Sequence, residues 1–178
     1  MKYLYVGATA DVDREAFTAV GERMGREFGL PLREYAMPDL EFARDPRRNQ
    51  YGSIPVLEKL VKAYPGDAVK LLAVTGRDLF IPVLTFVYGH AQLGGRIAVI
   101  SLARLRQEFY GLDPDRNILI QRATKEALHE SGHLFGLVHC PDISCAMSLS
   151  TNIRQIDLKR AAFCASCAAR LGRRPRES

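Results

Sequence analysis

The stretch QRATKEALHESGHLFGLVHCPDISC, residues 121–145, joins a helix-forming run to three histidines at fixed spacing. From about Asn117 to Leu137 the pattern predicts a helix. Ile118, Ile120, Ala123, Ala127, Leu128, Leu134 and Leu137 suit a buried face, and no proline or glycine precedes Gly132. Helix residues four apart lie one turn above each other, so His129 and His133 face a common point. Zinc takes imidazole nitrogens in a tetrahedral shell, and two ligands are too few. Gly136 is placed to end the helix, because glycine accepts the positive φ of a helix terminus. The chain then returns with His139 as a third ligand, and the fourth position is left for water. Glu130 points about 100° around the helix from His129. It is badly placed to be a ligand but well placed to hydrogen-bond that water and take its proton. The chain holds 4 histidines. The remaining one, His90, is expected to face solvent or substrate from a loop or edge strand.

The 4 cysteines all lie at or beyond Cys140. Cys140 and Cys145 form C-x4-C, and Cys164 and Cys167 form C-x-x-C. Two cysteine pairs divided by a folded segment read as a four-cysteine structural zinc site. Two disulfides, or a redox pair at Cys164 and Cys167, are the alternatives. A reducing compartment argues against the first, and a C-x-x-C late in a helical segment rather than after a βαβ strand argues against the second. Cα atoms of consecutive residues are about 3.8 Å apart, so His139 and Cys140 would place two metals close together. Arg154, Lys159 and Arg160 lie between the cysteine pairs and could offset the thiolate charge.

At 178 residues and 47% hydrophobic, the chain suits one domain with a proper core. Its net charge of +5 is modest, and no basic run carries the aromatic interleaving of a nucleic-acid surface. The most basic stretch, Arg170–Arg176, is expected to be a solvated tail. No signal peptide is visible, no pro-segment is expected ahead of the first strand, and no apolar window is long enough to span a membrane. A cytoplasmic monomer with no nucleic-acid or membrane partner is the expectation.

Along the chain, Lys2–Ala8 reads as a strand, Arg14–Phe28 as a helix ended by Gly29, and Leu32–Ala36 as a strand. Met37–Gly52 reads as a long polar loop. A helix follows to about Tyr64, with Ile54, Leu57, Leu60 and Val61 on one face. Ala68–Thr75 is nearly all apolar, as an interior strand is. Leu84–Tyr88 and Arg96–Ser101 read as two strands joined across GHAQLGG. Leu102–Tyr110 is a short helix or irregular link. Asn152 with Gln155 caps a closing helix over about Ile153–Leu171.

The pattern H-E-x-x-H-x-x-G-x-x-H running into C-x4-C-x-M and a distant C-x-x-C resembles the archaemetzincin family of metzincin-type zinc metalloproteases. The resemblance covers His129 to Cys167. It implies an α/β metzincin-like zincin fold: a twisted mixed sheet with helices in an upper lobe, residues 1–136, and a small helical lower lobe, residues 137–178, within a single domain. It implies two zinc ions, one catalytic on His129, His133 and His139 and one structural on Cys140, Cys145, Cys164 and Cys167. Glu130 would be the general base, and Met147 the Met-turn residue beneath the site. It also places a substrate-holding edge strand just before the last sheet strand, at about Phe86, Val87, Tyr88, Gly89, His90, Ala91 and Gln92, where a peptide can add as a further strand. The expected activity is zinc-dependent peptide-bond hydrolysis of a peptide or protein substrate by a metal-activated water. The competing expectation is a zinc-stabilised peptide-binding module with little turnover.

Overall fold

A computed structural model describes residues 1–172, so most of the basic tail lies outside the described residues. The larger sheet is built from β1 (Tyr3–Ala8), β2 (Leu32–Ala36), β5 (Ala68–Thr75), β7 (Gly89–Ala91) and β8 (Ile97–Ser101), in the order β2-β1-β5-β8-β7. All neighbours are parallel except β7, which runs antiparallel to β8 and forms an edge.

From β1 the chain crosses outward to β2 through α1 (Arg14–Phe28), then back past β1 to β5 through α2 (Ser53–Lys62). Crossovers in opposite directions with one handedness put their helices on opposite faces of a sheet. The packing obeys this. Leu4, Val6, Leu72, Val74, Ala98 and Ile100 meet α1 and the long helix α3 (Arg116–Leu134), while Leu71, Ala73, Ile97 and Val99 meet α2. Alternation along a strand thus divides β5 and β8 between two cores, which explains why Ala68–Thr75 is nearly all apolar. Asp13 caps α1 by accepting from the Ala16 N–H, and Gly29 ends it at φ 62°. The stacked rings of Phe28 and Phe135, 4.3 Å between centroids, tie the end of α1 to the end of α3.

The structure revises three expectations. The polar Met37–Gly52 segment is not a plain loop: it holds a short 3-10 turn and strands β3 (Arg44–Asp45) and β4 (Gln50–Gly52), and β4 pairs with β6 (Leu79–Phe80) in a second sheet. Strands of two or three residues leave no period in a sequence, and this sheet exists only because tertiary contact brings β6 to it. The strand expected at Leu84–Tyr88 is displaced onto Gly89–Ala91, inside the segment read as the connection. Phe86 and Tyr88 pack edge-to-face and Val87 bridges Leu79, so the apolar run is spent on packing. Finally, the closing helix is two helices, α4 (Ile153–Leu158) and α5 (Ala165–Gly172). Between them the Arg160 N–H donates to Ser144 O and the Ala146 N–H to Ala162 O. These bonds hold an extended segment that brings Cys164 beside Cys145.

Candidate active site

Helix α3 carries the centre of the site. Asp115 caps its start by accepting from the Ile118 N–H. From Arg122 to Gly132 the helix is buried on every side, which the single apolar face expected from sequence did not anticipate. Its polar residues Glu126, His129 and Glu130 are therefore largely withdrawn from solvent. At its end Gly136 takes φ 75°, and its N–H donates to the His133 carbonyl. That turn brings His139 round to the other two histidines, with ring centroids 5.3 Å from His129 and 5.0 Å from His133.

The imidazoles are oriented by backbone. His129 Nδ1 lies 2.9 Å from the Ala146 carbonyl and His133 Nδ1 2.8 Å from the Leu137 carbonyl. A carbonyl only accepts, so both protons sit on Nδ1, and the two Nε2 lone pairs face each other 3.1 Å apart. No proton is left to bridge them. Nitrogens around a tetrahedral zinc lie about 3.3 Å apart, so the donor set fits that ion. Burial holds all three imidazoles below their usual pKa, His129 furthest, which keeps them in the neutral form a metal needs.

Glu130 lines the same cleft, about 450 Å3 in volume, whose wall also includes Phe86, Tyr88 and His90. Burial raises its carboxyl well above the ordinary carboxylate range, and the Glu126 charge adds to this. Met147 is fully buried. Its sulfur packs against Gly132, where any Cβ would collide with it, and its carbonyl accepts from the Cys140 N–H. It thus supports the helix between His129 and His133.

The cysteine sulfurs converge separately, all within 4.8 Å of one another. Cys140 Sγ and Cys164 Sγ are 3.8 Å apart. Sulfurs about 2.3 Å from a tetrahedral zinc lie about 3.8 Å from each other, whereas a disulfide needs about 2.05 Å. Cys145 Sγ accepts from the N–H groups of Met147 and Cys164.

The family model for peptidase family M54 matches residues 50–173. An archaemetzincin of Methanocaldococcus jannaschii is 39% identical over 164 residues, covering 90% of this chain and 88% of that one. This chain belongs to peptidase family M54, the archaemetzincins. The crystal structure of archaemetzincin from Methanopyrus kandleri superposes with a TM-score of 0.86 at 34% identity, covering 97% of this chain and 94% of that one. That of a zinc-dependent peptidase from Methanocorpusculum labreanum gives 0.86 at 33% identity, covering 94% and 99%. The fold is that of the family, and the chain is a metallopeptidase. No helix among the described residues is long and apolar enough to cross a membrane.

Within this archaemetzincin several residues escaped the sequence reading. Lys159 does not face the cysteines. It is buried, with Nζ 3.4 Å from Glu126 Oε1 and 3.4 Å from His129 Nδ1. Arg160 donates from its guanidinium to Ser144 Oγ. The cysteine sulfurs instead receive backbone N–H groups. Gly89 and Gly132 are needed for space, one beneath Glu130 and one against Met147. His90 lies on the edge strand, and its ring meets Ser53 Oγ at 2.8 Å. An apolar-in, polar-out pattern gives no hint of a buried lysine or of a steric need for glycine.

Proposed function

We propose that this chain hydrolyses peptide bonds with zinc held by His129, His133 and His139 and with Glu130 as general base. The observation that carries the reading is the pair of Nε2 lone pairs, 3.1 Å apart and fixed by carbonyls behind them, in a cleft that Glu130 also lines. Zinc bound there supplies Lewis acidity, polarising a carbonyl and acidifying water. Glu130 takes the proton of the attacking water and hands it to the leaving amine as the C–N bond breaks. The peptide lies extended along the free edge of β7, pairing with it as an added strand. Ala146 and Leu137 orient the histidines through their carbonyls.

The four cysteines hold a second, structural zinc. It ties the 140–147 segment to α5 and steadies His139, which precedes Cys140. The sulfur spacing and the backbone N–H donors on Cys145 support this role.

The test is Glu130→Gln. Zinc content by elemental analysis stays unchanged, while cleavage of a peptide that the parent cuts falls about 10²- to 10⁴-fold. Near-full turnover in the variant overturns the general-base role.

A further inference from the structure

Helix α2 turns two apolar stripes outward from its axis. Val56 and Leu60 are buried in the core. Ile54 and Val61, expected from sequence on that same face, are instead 41% and 54% exposed. With Leu57 they line a groove of about 610 Å3, whose other wall is Ile97 of β8 and the residues His90 and Gln92 at the sheet edge. Glu58 and Lys62 stand at its rim.

The groove and the zinc-site cleft are two sides of one strand. In the β7–β8 register, Gly89 pairs with Ile100 and Ala91 with Ala98, while His90 pairs with Val99. Ile100 and Ala98 belong to the α3 core and Val99 to the α2 core. His90 therefore projects to the α2 face, Gly89 and Ala91 to the α3 face. His90 lines both cavities. The Ser53 hydroxyl lies 3.3 Å from the Phe80 carbonyl and donates to it. Its oxygen then accepts from the Nδ1–H of His90, which pins the ring as the shared wall.

We infer that this groove is a substrate side-chain subsite. It takes an apolar side chain of the bound peptide at a position facing α2, alternate to the residues that face the catalytic helix. The inference rests on the reading of β7 as the strand that holds substrate. A peptide added to the β7 edge continues the pleat, so every second side chain points to the α2 face. There it meets Ile54, Leu57 and Val61, an apolar surface that no other described segment covers. A leucine-sized side chain fits the chemistry. An acidic or basic one gains only a solvated partner at the rim.

The experiment uses zinc-loaded Glu130→Gln protein and fluorescence anisotropy. The probes are fluorescein-labelled ten-residue peptides of alanine and glutamine, each with a single leucine at a different position. The expected result is tighter binding, about tenfold or more, when leucine occupies one of the alternate α2-facing positions. Adding Val61→Asp abolishes that preference at that position alone, and the leucine-free peptide binds both proteins equally. Leucine preference that survives Val61→Asp, or that shows no alternation, overturns the subsite. Companion peptides N-methylated at single backbone amides separate the two levels. If no N-methyl group weakens binding, or no peptide binds saturably, the β7 reading itself falls and takes the subsite with it.

Discussion

Glu130 occupies the space that a side chain at position 89 would fill. A Cβ built on Gly89 meets Glu130 Cγ at 2.5 Å and Oε1 at 2.7 Å. The strand that edges the cleft and the helix that carries the carboxylate are thus in direct contact, and the glycine sets the position of both. Gly89→Ala forces the carboxylate or the strand to move. The expected outcome is a fall in kcat/KM of about 10²-fold, because small misplacements at a reacting centre are costly. Zinc content is unchanged, and overpacking lowers stability by about 1–3 kcal/mol. Kinetics at matched zinc content are the check, and wild-type turnover would show that Glu130 is not position-critical.

Glu130 is a buried carboxyl held above its usual pKa by desolvation. A carboxyl raised in this way stabilises the fold fully at pH below its ordinary value, near 4.5. That contribution is lost as pH rises through the folded value, since the charged form is unwelcome in the folded site. In zinc-free protein, Glu130→Gln should therefore raise the melting temperature at pH 8, by about 2–4 °C for each kcal/mol gained. The gain should shrink toward pH 4. Scanning calorimetry with chelator at both pH values measures this, and a variant less stable than the parent at pH 8 contradicts it.

Lys159 and Glu126 form an ion pair with side chains 1% and 4% exposed. Removing one partner strands the other charge in the core. Lys159→Met should cost about 3–5 kcal/mol in chemical denaturation. The double variant Lys159→Met with Glu126→Leu should recover most of that, because a buried pair replaced by apolar groups of similar volume is often neutral. Equal losses in the single and double variants would mean that packing matters here and charge does not.

Cys164 lies 3.8 Å from Cys140 across the cysteine cluster. With Cys164→Ser, zinc per chain should drop from two to one and the melting temperature should fall. Chelator added to the variant should cost little further stability. Unchanged zinc content and melting temperature would remove the structural zinc from the account.

Much of the site was legible before folding because its chemistry is local. His129, Glu130 and His133 lie within one helical turn or so, and helix geometry alone sets which of them share a face. Gly136 declared its bend through its residue type, and its φ is indeed positive. From the residue pattern alone the strand is expected at Leu84–Tyr88, the more apolar run, whereas the range implied by the family resemblance, Phe86–Gln92, contains β7. Pairing with β8 selects Gly89–Ala91. Ile54 and Val61 are expected inside because their spacing puts them on one helix face with Leu57 and Leu60, but the core fully covers only the stripe of Val56 and Leu60.

By itself, then, the amino-acid order determined the histidine-bearing helix, the cysteine pattern and the alternation of helices with strands. Each depends on residues close in sequence or on a backbone period. Only the tertiary structure decided that Lys159 turns away from the cysteines to Glu126, that Gly89 makes room for Glu130, and that α2 leaves an apolar stripe beside the β7 edge. These are relations between surfaces brought together by packing, where volume and desolvation choose the partner and chain order carries no record of it.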